Sequence, residues 1–507
     1  MRHTNERGPE KPAGALIRRA APAATAVAAL IVAQPAGTGT VSGAARVVSR
    51  SGHTVPGWFQ VVGHSALLGR GMNAALALWG HYAYIGSRTD GSHPHAGVLV
   101  VDIAQPQHPA VVAEIGPPDE GNPGETSREL RVWPEQHLLI VMNIACSALL
   151  HACAQGVSVT STFRFYDIAG ADAAHPRLVA TYYPSRLPHE FYLWADPWRP
   201  GRALLYISTP YIDPNGDQLL VTDISRARTG AFRELASWRA GIRDPLAVAY
   251  LHSLSLSPDG RRAYLAYLGG GFLIADTSDL ARDLAHPAIR LVTPVANRAH
   301  WGNPGAHSAV KLFGRPYALT TDEVYGTFGG LAGIPGLEGC PWGWVRLLDI
   351  RDERRPRVVA QYKIHPYNDQ SYCLSVPADR ENFASFSSHN PTPTPHLAFV
   401  SWHSGGLQAI ELADPLRPTQ AAQFVPNPLP HVATEDPALS RGRDKVVLWS
   451  YPIIKDGLIY VVDIRNGLYV LRYHGPYASE VAGLRFLEGN SNLGDAVRLA
   501  GTQGTDA

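Results

Sequence analysis

The sequence predicts an all-β protein, a seven-bladed β-propeller of four-stranded blades closed by an N-terminal strand. Three observations predict it. A unit of strand, turn and strand recurs seven times between Asn73 and Tyr473. Within each unit the apolar residues alternate with period two and are rich in β-branched and aromatic types. Charged residues make up 17% of the chain, while glycine (48) and proline (41) are abundant, which favours short strands joined by tight turns.

The copies follow one another along the chain. The first is "NAALALWGHYAYIGSRTDGSHPHAGVLVVDIAQPQHPAVVAEI", Asn73 to Ile115. The second joins "RELRVWPEQHLLIVM" to "FRFYDIAGADAAHPRLVATY" and ends at Tyr182. The third opens on "LPHEFYLW" and runs through "ALLYIST" and "QLLVTDIS". The fourth starts at His252 in "HSLSLSPDGRRAYLAYLGGGFLIADTSD", and the fifth joins "HSAVKLFGRPYALTT" to "VRLLDIRDERRPRVVAQY". "HNPTPTPHLAFVSWHSGGLQAIELADPLRPTQAAQF" is the sixth. The seventh, Ser450 to Tyr473, has only three strands of its own. "WFQVVGHSALL", Trp58 to Leu68, is expected to supply its outer strand and so hide both chain edges. The propeller is placed at residues 56–475, with residues 476–507 as a partly ordered tail.

The strand endings "GVLVVDI", "FRFYDI", "QLLVTDI" and "VRLLDI" resemble the LVIVD-repeat β-propeller family. The resemblance implies the fold and an exported binding or scaffold module, and names no activity. A weaker similarity runs to selenium-binding protein and methanethiol oxidase, which implies histidines used for a metal. Glu411 departs from the repeat, where an aspartate is expected. The repeated Asp102, Asp167, Asp223, Asp276 and Asp349 are expected to cap the turns that follow them.

The first 45 residues read as an export leader. Arg18 and Arg19 precede a short Ala/Val/Leu/Ile stretch and then small residues. This places the protein outside the cell or on its surface, with no membrane span in the mature chain. An oxidising compartment makes disulfides Cys146–Cys153 and Cys340–Cys373 the expected use of the four cysteines. A net charge of +1 and the absence of a basic aromatic stripe argue against nucleic acid as a partner.

The candidate chemistry lies in one column. Aligning the first strands, with Trp194 and Ser257 equivalent, puts His189, His252, His307 and His389 at one position in blades three to six. Asn73, Arg128 and Ser450 hold that position elsewhere and are assigned to the channel mouth. The first strand of a propeller blade is innermost, so residues at its start converge on the axis. Four convergent imidazoles suit a transition metal such as Fe, Cu or Zn. Glu129, Glu190 and Glu323 are expected near the same mouth, where they would orient imidazoles. The loops between second and third strands are long on that face, which makes it the recognition face for a small molecule or a protein. His93, His95, His365, His403, Trp342, Trp344 and Tyr325 are its candidate lining residues. Two functions follow: a binding or scaffold module without a cofactor, or a metal-dependent oxidase or oxygenase with an axial four-histidine metal site.

Overall fold

Alternating strands with one turn chemistry per unit build seven antiparallel sheets. The computed structural model describes residues 55–118, 124–147, 151–209, 216–243, 249–301, 305–323, 343–364, 386–437, 439–440 and 445–501. Residues 1–45, read as a leader, lie outside the described residues, as do Cys340 and Cys373.

Blade 1 comprises Asn73–Trp79, Tyr82–Ser87, Val98–Asp102 and Ala110–Ile115. Blade 2 comprises Glu125–Trp133, Leu138–Ala145, Thr162–Asp167 and Arg177–Tyr182. In blade 3 the strands are Glu190–Ala195, Ala203–Ser208, Leu219–Arg226 and Ala231–Trp238. Blade 4 has Ser253–Leu256, Arg262–Ala266, Phe272–Asp276 and a short outer strand, Arg290–Leu291. Blade 5 has Ser308–Lys311, Tyr317–Thr321, Val345–Asp349 and Arg357–Tyr362. Blade 6 has Pro391–Pro393, Leu397–Ser401, Leu407–Glu411 and Thr419–Phe424. Blade 7 supplies Ile453–Lys455, Leu458–Asp463 and Gly467–His474, and borrows Trp58–Ser65 as its outer strand.

That borrowed strand closes the ring. It runs antiparallel to Gly467–His474 from Trp58↔His474 to Ser65↔Leu468. Trp58 stacks on His474 with ring centroids 4.3 Å apart. Arg70 locks the next junction. Its guanidinium is fully buried and donates to Asn73 Oδ1 and to the carbonyls of His95, Gly97, Ile85 and Gly86. Asn73 in turn donates to the carbonyls of Asp463 and Ile464, tying blade 1 to blade 7.

The core lies between the blades. Phe163, Phe165, Phe191 and Leu205 pack blade 2 on blade 3, and Trp194, Leu204, Leu254 and Leu265 pack blade 3 on blade 4. Two glycines permit this close approach. A Cβ on Gly86 would lie 1.9 Å from the carbonyl oxygen of Ser127 in blade 2. One on Gly260 would lie 2.5 Å from the Trp194 ring, at a φ of +70°.

The aspartate column caps turns. Asp102, Asp167, Asp223, Asp276 and Asp349 each accept from the backbone N–H two residues on, at 2.8–3.0 Å. Blade 6 has Glu411 in that place, and Asp414 caps its turn instead, accepting from Leu416 N–H. The Cys146–Cys153 disulfide is formed, with its Cα atoms 6.0 Å apart. Among the described residues no helix is long and apolar enough to cross a membrane.

The chain after Pro476 is more structured than its composition suggests. It forms a helix at Ala478–Ala482, a strand at Phe486–Leu487 and a helix at Asp495–Gly501. The strand pairs with the inner edge of blade 7, Ile454↔Leu487. Beyond it, Asn490 O accepts from Leu193 N–H, and Asn492 exchanges hydrogen bonds with the backbone of Ala195. Lys455 and Ala195 are the last residues of first strands. The segment therefore crosses the axis at the end opposite the strand starts.

Candidate metal centre

The repeat itself positions the four histidines. Each stands one or two residues before the first strand of its blade. Each donates its backbone N–H to the carbonyl of the last residue of the second strand: His189 to Ser208, His252 to Ala266, His307 to Thr321 and His389 to Ser401. The shared hydrogen bond makes them equivalent residues of successive blades. Their rings follow one another with centroid separations of 4.3, 3.9 and 4.2 Å. All four are buried, between 0% and 6% exposed.

Glu323 was expected to orient imidazoles from a distance, but it reaches three of them directly. Its carboxylate lies 3.2 Å from His307 Nε2, 3.1 Å from His389 Nε2 and 3.3 Å from His403 Nε2. The other faces of two of these rings are already engaged. His389 Nδ1 lies 2.6 Å from the carbonyl oxygen of Trp449, which can only accept, so Nδ1 carries the proton. His307 Nδ1 lies 2.9 Å from Ser308 Oγ, which in turn lies 3.0 Å from the Asn390 side-chain amide. In a neutral ring His389 Nε2 then presents a lone pair to the carboxylate. His307 Nε2 and Glu323 Oε1 have no hydrogen-bond partner despite these short approaches. Facing lone pairs at such distances repel unless a cation or a shared proton lies between them. One carboxylate can neutralise one imidazolium, not several.

Burial, first, and the charges around them hold His189, His252 and His389 well below the usual imidazole pKa. His403 is lowered for the same first reason. Burial opposes ionisation of Glu323, but the His389 and His307 imidazoles outweigh it, and its carboxyl is held well below the usual range. These groups fit a metal in donor chemistry: imidazole nitrogens gathered around a carboxylate, away from water. Ligands bound at about 2.0–2.2 Å stand roughly 3–3.5 Å from one another, as these atoms do.

The donors do not converge on a single point. They gather as three overlapping triads, His189–Glu190–His252, His252–His307–Glu323 and Glu323–His389–His403, with ligand atoms within 4.8 Å inside each. Asp90, Cys146 and Cys153 also cluster, but the disulfide occupies both sulfurs.

The remaining predicted residues fall as follows. Glu190 lies 3.9 Å from His252 Nδ1, and burial, with Glu129 beside it, pushes its carboxyl well above the usual range. Glu129 pairs with Arg131 at 3.1 Å rather than with a histidine. Asn73 is spent on ring closure, as described above. Arg128 sits with its guanidinium 5.5 Å from the Trp449 ring. Ser450 occupies the column position of blade 7. Its carbonyl accepts from Ser401 Oγ, as the His389 carbonyl accepts from Thr321 Oγ1 one blade earlier. His95 is exposed and paired with Glu114. His93 is half-buried in a turn on Asp90, and Trp344 faces Arg346 and Lys363. His365, Trp342 and Tyr325 lie outside the described residues.

Glu323 and His403 form a second column. Each stands two residues beyond the end of its blade's second strand, in Thr321-Asp322-Glu323 and Ser401-Trp402-His403. His403 takes a φ of +35° in a turn closed by Gly406 N–H on its carbonyl. The "WHSGG" turn is the sequence signal that marks this position. Arg88 covers the cluster from the side of blade 1. Its guanidinium lies 4.5 Å above the Trp449 ring and contacts His151 Nε2 at 2.9 Å, while His151 Nδ1 faces Asp436 at 3.2 Å.

No protein-family model matches the chain, and no curated protein matches it. Among solved structures, Chaetomium thermophilum Sqt1 is similar over 80% of this chain and 86% of that one, at 12% identity and a TM-score of 0.43. At that distance the similarity bears on neither fold nor function.

Proposed function

We propose that this protein is an exported β-propeller that holds a transition metal at the axial cluster of His252, His307, His389, His403 and Glu323, with His189 and Glu190 beside it. The observation that carries this reading is the Glu323 carboxylate set against imidazole nitrogens whose opposite faces are already engaged. Iron or copper in such a set would supply oxidase or oxygenase chemistry; zinc would supply a Lewis acid. The protein's own part is to fix the imidazoles through Trp449 O and Ser308 Oγ and to keep bulk water away. Export is supported by the N-terminal composition and is compatible with the Cys146–Cys153 disulfide. The LVIVD-type strand endings support kinship with that family of exported propellers.

The test is elemental analysis of the full-length protein purified without a histidine tag. Near-stoichiometric iron, copper or zinc is expected, and a His307→Ala/His389→Ala variant should lose it. Metal content near zero in the wild type would overturn the proposal. A second reading, a metal-free binding module, has one observation in its favour. His189 Nε2 and His252 Nε2 lie 2.8 Å apart, the distance of a direct imidazole–imidazole hydrogen bond. Under that reading the loop-rich face would recognise a small molecule or a protein.

A further inference from the structure

We infer that the axial cluster is built for two metal ions bridged by the Glu323 carboxylate. The inference rests on the proposed function above and goes beyond it in stoichiometry and in the role of each ligand. It starts from the spread of the donors. Two ligands bound to one ion at about 2.0–2.2 Å can be no farther apart than roughly 4.4 Å, even when they stand on opposite sides of it. The donors separate into triads with ligand atoms mutually within 4.8 Å, and among the described residues none of these groups holds more than two of the four column histidines. A single ion would leave part of this buried set unsatisfied.

Two of the triads meet at one residue. Glu323 Oε2 faces His307, in the triad completed by His252. Glu323 Oε1 faces His389 and His403, the other triad. Each oxygen therefore has its own imidazole set, the arrangement of a carboxylate spanning two ions about 3.5–4 Å apart. The first site takes His252, His307 and Oε2, and the second takes His389, His403 and Oε1. His189 and Glu190 flank the first site through His252.

Arg88 and Arg128 lie over the ring of Trp449, whose carbonyl faces His389 Nδ1 at the second site. The Glu190 carboxyl group lies with His189 and His252 on the side of the first site.

The experiment is native mass spectrometry of the full-length protein, stripped with chelator and titrated with Zn²⁺. It is repeated with His403→Ala and His252→Ala, with circular dichroism as the check on folding. Two tightly held equivalents are expected in the wild type and one in each folded variant. One equivalent in the wild type would overturn the two-ion inference and leave the metal-binding proposal standing. No bound equivalent would overturn both. Should either variant fail to fold, the wild type loaded with two Cu²⁺ decides alone. A spin count well below two per chain reports coupling across the bridge, and a full count from two independent centres refutes it.

Discussion

The two ends of the propeller axis are built by different means. At one end, four equivalent residues of successive blades bring imidazoles together, and the loops after the second strands of blades 5 and 6 add Glu323 and His403. At the other end, a single non-repeating stretch crosses the inner strands and is held by backbone pairing and two asparagines. The first end is polar and buried, and is costly to keep without a counter-charge. The second buries Val481, Leu484, Leu487 and Leu499 together with a polar run, Glu488, Asn490, Ser491 and Asn492, and works by covering the inner strands. The difference separates chemistry from stability: symmetry gathers the functional groups, and the asymmetric tail stabilises the ring that presents them.

Four measurements can break or sharpen this contrast. Truncation after Pro476 has the largest expected effect. It removes those four apolar side chains and Leu493 from their sites, a loss on the order of 5–10 kcal/mol as an upper range. Urea unfolding should show it, while any folded fraction keeps its metal content. Loss of metal together with the tail would show that the two ends are coupled.

Chelation acts on the opposite end. A metal present at about a thousand times its dissociation constant contributes about 4 kcal/mol to the native state. Removing it should lower the free energy of unfolding, followed in urea, by that much in wild-type protein and leave a Glu323→Gln/His389→Ala variant unmoved.

Acid should weaken the same end. Burial, then Arg88, lowers the His151 pKa from 6.5 to about 4. Between those values the unfolded chain binds more protons than the folded one, so stability falls as pH falls through that window. The contribution is about 3 kcal/mol, fully present above pH 6.5 and lost by pH 4. His151→Gln should flatten the profile when thermal unfolding is followed against pH; an unchanged slope would assign it to other groups.

The smallest effect belongs to the repeat itself. Asp102→Ala removes one side-chain cap at the rim of blade 1 and should cost about 1 kcal/mol with no change in metal content.

Much of the histidine end could be read from the sequence because it is periodic. Asp102 and its equivalents mark where third strands end, and that register carries over to His189, His252, His307 and His389. In the sequence Glu323 reads only as a group acting at a distance, and His403 only as one lining residue among several. Their shared position two residues past the second strand shows only when strand ends are known. The loops that follow differ in length, so no sequence period links them. Asn73 and Arg128 looked like column members, but Asn73 is held by Arg70 for ring closure, and Arg128 precedes Glu129 at an irregularity in its strand pairing. Nothing periodic announces the closing segment either. It has only two strand residues, Phe486 and Leu487, and its other anchors are side chain-to-backbone hydrogen bonds from Asn492.

The sequence by itself determined the seven blades, the closing strand and the four-histidine column, because each is a local pattern repeated in register. Tertiary structure alone decided that Glu323 and His403 join that column, that the donors divide into triads around one carboxylate, and that residues 478–501 cover the opposite end. These depend on the curvature of the ring, which brings together residues as far apart in the chain as Leu193 and Asn490.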